Sequence, residues 1–105
     1  MLVVVSPSAK DDLDDAWLWW REHRTEAPLL LLDEVAEAFS KLEQIATTLP
    51  VFARVGPLVI RRLHLARVHR HIYYVVATDR VLVLAVWGSV RGVLPKLNAR
   101  ARQDR

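Results

Sequence analysis

The sequence predicts an α+β fold, in which an N-terminal strand and an antiparallel helical hairpin pack on a three- to four-stranded antiparallel sheet. In the first half, apolar residues recur every three or four positions, which is the helical period. In the second half, runs rich in Val, Ile, Leu and Tyr are separated by turn residues, as in strands. The length of 105 residues suits one domain with one modest core.

The N-terminal segment predicts a short strand followed by a helix. "VVV" at 3–5 is β-branched, and in "SPSAKDDL" Ser6 can cap the helix with Pro7 at its first position. Four aspartates then fall in the early turns, near the positive end of the helix dipole. Consecutive helical aspartates point in different directions, so this run does not indicate a metal site. We expect no metal and no cofactor.

A second helix is predicted from about Glu26 to Thr48, antiparallel to the first, with Pro28 in its first turn. The run "LLLL" at 29–32 is apolar on every side of such a helix, so either the fold or a partner must cover it. Leu29, Leu30 and Leu31 are therefore candidate contacts for a partner protein.

Three strands are predicted at 58–65, 71–77 and 81–87, with "RVGP" as a loop before the first and "ATDR" as the tight turn before the last. The helices can cover only one face of this sheet. Alternation assigns the face with Leu63, Ile72 and Tyr74 to the helices. The open face would then carry Arg62, His64, His71 and Tyr73. Arg61 falls on the covered side, where its head can reach water at the rim.

The charge is divided unevenly along the chain. Residues 1–50 hold four basic and ten acidic residues, a net charge of −6, whereas residues 51–105 hold eleven basic and two acidic residues, a net charge of +9. This division favours a basic working surface with an acidic partner, or a solvated basic face. There is no cysteine and no apolar run long enough to span a bilayer, which favours the cytoplasm.

The ordered set "SPSAKDDLDDAWLWW", "IATTLP", "VIRRLHL", "HRHIYYVVATDRVLVLAVW" and "SVRG" resembles the RelE/ParE superfamily of bacterial toxins. These are the toxins of type II toxin–antitoxin pairs, often described as plasmid-stabilisation proteins. The resemblance covers roughly residues 2–97 and implies a single toxin domain at 1–97. The polar, basic composition of "NARARQDR" predicts a mobile tail at 98–105. The resemblance also implies a cognate antitoxin as partner.

The superfamily has two branches: ParE-like members inhibit DNA gyrase, and RelE-like members cut mRNA on the ribosome. The opening of this chain is more similar to ParE. If it were a nuclease, the resemblance would assign catalysis to Arg62, His64, His71 and Arg91, since histidine can transfer protons near neutral pH and arginine can stabilise phosphate charge. Leu97 and Gly88 stand where many relatives have a tyrosine and a histidine, which weighs against cleavage.

The sequence therefore leaves three functions open: a ParE-like gyrase inhibitor, a RelE-like mRNA endonuclease, and a degenerate module that only binds. The same strand residues are also consistent with ordinary sheet packing. The candidate binding face comprises Arg61, Arg62, His64, Arg67, Arg70, His71, Tyr73, Trp87 and Arg91.

Overall fold

A computed structural model describes residues 1–89 and 93–103. The strands are β1 Leu2–Val5, β2 Val51–Val55, β3 Leu58–Leu65, β4 Arg70–Val76 and β5 Arg80–Gly88, and the helices are α1 Pro7–His23, α2 Leu30–Ile45 and α3 Leu97–Gln103. The strands form one sheet in the order β1-β5-β4-β3-β2, in which β1 is parallel to β5 and all other neighbours are antiparallel. The predicted α+β class is confirmed. No helix in these residues is both long and apolar enough to cross a membrane.

The first helix begins as predicted. Ser6 has an extended backbone, and its hydroxyl accepts a hydrogen bond from the Ala9 amide at 3.2 Å. Pro7 occupies the first turn, where its missing N–H leaves no bond unmade. This cap is buried, which fixes the direction in which α1 leaves β1.

The second helix begins at Leu30, four residues after the predicted start. A residue before proline avoids the helical region, so Pro28 keeps Ala27 in the connection between the helices. The carbonyl of Ala27 instead accepts a hydrogen bond from the Trp20 indole at 2.8 Å. At the other end, the Thr48 hydroxyl donates to the Ile45 carbonyl at 2.8 Å, a local bond that competes with further helix.

The segment before residue 58, expected to be a loop, contains the edge strand β2. Gly56 and Pro57 connect β2 to β3 as a tight hairpin turn, and Gly56 has a φ of +57°, which glycine adopts without strain. Four antiparallel strands with β1 beside them make the sheet five-stranded.

The sheet has a hydrophobic core on each face. On the helix side, Ile72 and Tyr74 pack with residues of α1 and α2 that include Trp20, Leu31 and Leu42. On the other side, the buried residues are Ile60, Tyr73, Val75, Leu82, Leu84, Ala85, Leu97 and Ala101. The second face, predicted to be open, is therefore partly covered.

The cover on the second face comes from α3, so the domain does not end at residue 97 as predicted. Leu97 and Ala101 lie one helical turn apart and are both buried against the sheet. Residues 98–103 belong to this helix, so the prediction that they form a mobile tail is wrong. Residues 104–105 of the predicted tail lie outside the described residues. Two apolar positions among basic ones are too short a pattern to predict a packed helix.

Candidate functional site

The register of β3 against β4 brings two histidines together. His64 lies directly opposite His71, and their ring centroids are 4.6 Å apart with the planes inclined at 54°. We call these two residues the histidine pair. His71 also lies opposite Trp87 on β5, so His64, His71 and Trp87 form a row across three neighbouring strands.

The histidine pair sits in a positive environment. Burial lowers the pKa of His71 below its usual value of 6.5, and the charges of Arg62 and His64 lower this pKa further. The His71 imidazole is therefore mostly neutral at pH 7. A neutral imidazole has one nitrogen that can accept a proton or bind a metal ion.

Arg62 and Tyr73 lie opposite each other, one position further along the same face. The Arg62 guanidinium lies 4.6 Å from the ring centroid of Phe52, and Phe52 in turn contacts Tyr73 edge-on at 5.1 Å. Only 1% of Tyr73 is exposed. The prediction that Tyr73 lies on an accessible binding face is wrong. Phe52, on the unpredicted strand β2, covers the Tyr73 ring.

Three predicted basic residues lie away from the histidine pair. Arg61 donates to the carbonyl of Leu49, at the rim of the helix side. Arg67 forms an ion pair of 2.8 Å with Glu34 of α2, and Arg70 lies near Trp19 of α1. The predicted binding face is thus divided between the two sides of the sheet, and Arg91 lies outside the described residues.

A groove of about 860 Å³ lies between α1, the start of β4 and the end of β5. We call it the tryptophan groove, because its lining includes Trp19, Trp20 and Trp87 together with Asp11, Asp12, Asp15, Arg24, Arg70 and Arg100. No motif in the sequence predicts this groove. The signal that could have indicated it was Trp19, which falls off the apolar stripe of α1 and is 42% exposed.

Cationic and aromatic groups surround Trp19 at the mouth of this groove. The His23 ring stacks on it at 4.4 Å with planes inclined by 9°. The guanidinium carbons of Arg24 and Arg70 lie 5.8 Å and 5.7 Å from its ring centroid. Such contacts orient an exposed indole and combine an apolar surface with positive charge.

An ion pair covers the backbone edge of β5 inside the groove. Strand β1 pairs with β5 only as far as Val83, so the following residues of β5 have a strand on the β4 side but none on the β1 side. Asp12 accepts the Val86 amide at 3.0 Å, and Arg100 donates to the Leu84 carbonyl at 3.2 Å. The two side chains also pair with each other at 2.6 Å, which ties α1, β5 and α3 together.

The predicted leucine contacts are only partly on the surface. Leu29 is 58% exposed, whereas Leu31 is fully buried in the helix-side core and Leu30 is half-buried against it. The prediction that Leu31 contacts a partner is therefore wrong, because this side chain faces the sheet and is not accessible. Leu32, at 44%, is exposed in its place, as is Leu18 of α1 at 50%.

No family model matches this sequence, and no curated protein matches it. Among solved structures, a chain described as "Chromosomal ParDE TA system from P. aeruginosa" superposes on it with a TM-score of 0.71 and 20% identity. The match covers 84% of this chain and 95% of that one. The two chains share a fold, which agrees with the α+β architecture predicted from the sequence.

Proposed function

We propose that this chain is the toxin component of a type II toxin–antitoxin system, of the ParE kind. The fold likeness to a chain from a ParDE system, which extends over 95% of that chain, is the observation that carries the proposal. The order of motifs along residues 2–97 supports it independently. We also propose that the toxin acts in the cytoplasm without a cofactor.

DNA gyrase is the target we favour, and the tryptophan groove is the surface we propose for it. Tryptophan and arginine are the residues most enriched at the energetic centres of protein interfaces, and Trp19, Arg24 and Arg70 lie together there. On the sheet face, Leu97 stands where many nuclease relatives have a tyrosine. It is the first residue of α3, is buried against the sheet and has no group that can transfer a proton.

A cognate antitoxin would cover a different part of the molecule. The helices of the hairpin expose Leu18 and Leu32, and the residue just before α2, Leu29, is exposed as well. A partner segment carrying both apolar and acidic residues would suit these leucines and the basic second half of the chain. We expect the chain to be toxic or insoluble when produced alone, and soluble when produced with this antitoxin.

Supercoiling by purified gyrase tests the proposed target. We expect the wild-type chain to inhibit supercoiling and Trp19→Ala to lose most of this inhibition. Leu18→Ala is the matched control, since it removes a similarly exposed apolar side chain from the adjacent position. Full gyrase activity at a large excess of the wild-type chain would contradict the target. Equal inhibition by wild type and Trp19→Ala would contradict the proposal that the tryptophan groove binds gyrase.

The histidine pair favours one second candidate, a RelE-like, ribosome-dependent mRNA endonuclease. A neutral His71 next to His64 and Arg62 supplies a proton acceptor beside positive charge, which suits cleavage of a phosphodiester. The double variant His71→Ala, Arg91→Ala tests this candidate. Loss of mRNA cleavage in a folded double variant would support it, and unchanged toxicity would exclude this active site. A folded chain that affects neither gyrase nor mRNA would be a degenerate binding module.

A further inference from the structure

The histidine pair is a fixed feature of the sheet. Each histidine is held by its own strand, and the antiparallel ladder places them directly opposite. His64 is exposed and His71 is half-buried, so one side of the pair is accessible from water. Directly opposite residues have Cβ atoms about 5 Å apart, which lets two imidazoles reach the same point.

The separation of the rings agrees with binding to one metal ion. Imidazole nitrogens bind Zn²⁺ at about 2.0–2.1 Å, so each ring centroid would lie about 3.2 Å from the ion. For angles at the metal between square and tetrahedral values, the two centroids would be about 4.5–5.2 Å apart. The observed separation of 4.6 Å falls inside this interval. Little movement of the backbone would therefore be needed.

The side chains of the pair favour a metal ion, and one neighbouring charge opposes it. The positive charge of Arg62 opposes a bound cation, but its guanidinium is drawn towards the ring of Phe52. His71 is the more buried member of the pair, and a neutral imidazole offers one ring nitrogen as a ligand. Imidazole is a preferred ligand of Zn²⁺, Ni²⁺ and Cu²⁺, but not of Mg²⁺.

We propose that His64 and His71 form a two-point chelate for a late first-row divalent cation such as Zn²⁺, with water completing its coordination. Among residues 1–89 and 93–103, no group of three or more His, Cys, Asp and Glu side chains comes together around a metal position. The site is thus an open one, on the sheet face that carries Arg62. This inference does not depend on which target the toxin has.

Calorimetric titration of the full chain, without an affinity tag, tests the chelate. Zn²⁺ and Ni²⁺ should each bind at one site per chain at neutral pH, and Mg²⁺ should not bind. Replacement of either histidine should lower the affinity for Zn²⁺ at least about tenfold, because a second ligand on the same scaffold acts at high effective concentration. His64→Thr, which preserves strand propensity, should lose as much affinity as His64→Ala.

His23→Ala is the matched control, since His23 is also exposed but stacks on Trp19. It should bind Zn²⁺ as the wild type does. Arg62→Gln should bind Zn²⁺ more tightly, because it removes the opposing charge. Zinc should also raise the urea midpoint of the wild type and not that of His64→Thr.

Two results would overturn the chelate. One is a wild-type affinity for Zn²⁺ no greater than that of the single-histidine variants. The other is a loss of affinity in His23→Ala equal to that in His64→Ala. Both results are measurements of Zn²⁺ affinity, so they can be obtained whether or not the chain inhibits gyrase.

Discussion

Tyr73 and Tyr74 are neighbours on β4, and both are almost fully buried, yet they lie in different cores. Tyr74 packs under the helical hairpin, and its hydroxyl donates to the Ala46 carbonyl at 2.7 Å. Tyr73 is covered by Phe52 on the opposite face, in a core completed by the short helix α3. One face is thus closed by two long helices. The other is closed by small elements and leaves the histidine pair accessible.

The largest expected effect is on the helix side. Ile72→Ala removes a fully buried side chain from the core beneath the hairpin and should cost about 2–5 kcal/mol in the free energy of unfolding. Leu97→Ala, on the α3 side, should cost less, because α3 can detach without opening the sheet. Urea denaturation of both variants measures the difference. Equal losses would mean that the two cores unfold as one.

The second effect concerns the ion pair that joins the two regions. Asp12→Ala removes the acceptor of the Val86 amide and the carboxylate that pairs with Arg100, which keeps its bond to the Leu84 carbonyl. Both charged side chains are largely buried, so the loss should be about 2–4 kcal/mol. Asp14→Ala is the matched control: it changes an exposed aspartate of the same helix and should cost less than about 0.5 kcal/mol. If the two variants unfold at the same urea concentration, this ion pair does not hold α3 in place.

A smaller loss of stability is expected when Tyr74 loses its hydroxyl. Tyr74→Phe removes the bond to Ala46 and should cost about 1 kcal/mol. Burial raises the pKa of Tyr74 to about 12, against a smaller opposite effect of Arg61.

The sign of the pH dependence follows from this shift. An unfolded tyrosine ionises near pH 10, so the stability that the neutral Tyr74 contributes is complete below pH 10 and is lost as the pH rises towards 12. Between these values, wild-type stability should fall more steeply than that of Tyr74→Phe. Parallel curves would contradict the burial of the neutral phenol.

The smallest effect is expected at the surface of the helix side. The guanidinium of Arg67 pairs with Glu34, but the Arg67 side chain is 70% exposed. Arg67→Ala should therefore change the free energy of unfolding by less than about 1 kcal/mol, and salt should reduce even that. A loss as large as that of Asp12→Ala would show that the exposed ion pair stabilises the fold as much as the buried one does.

The contrast between the two faces also explains what the sequence could predict. The stripes of α1 and α2 and the alternation on β4 predict the helix-side core, because long periodic patterns determine which side of an element is buried. The other face depends on β2, on a seven-residue helix and on Leu84. Leu84 is an extra residue in β5 between the partners of Tyr73 and Tyr74. A single bulge shifts the alternation, and nothing in the local sequence indicates it.

The candidate site follows the same rule. His64 and His71 were assigned to one face from alternation alone, and the register confirms that they share it. The sequence does not predict the tryptophan groove, because the groove joins α1 to the start of β4, the end of β5 and Arg100 of α3, and these segments are far from α1 in sequence. Leu29 lies just before α2 and Leu31 lies in its first turn, only two positions further along the chain. A run of identical residues could not show which of them faces the core.

A brief induction of the chain in bacteria, with labelled thymidine and leucine incorporation followed over the first minutes, tests the central claim most directly. A ParE-like toxin acting on gyrase should stop thymidine incorporation first, while leucine incorporation continues. Trp19→Ala should delay this arrest, and Leu18→Ala should not. Early loss of leucine incorporation with thymidine unaffected would contradict the proposed target and direct attention to the ribosome and His71.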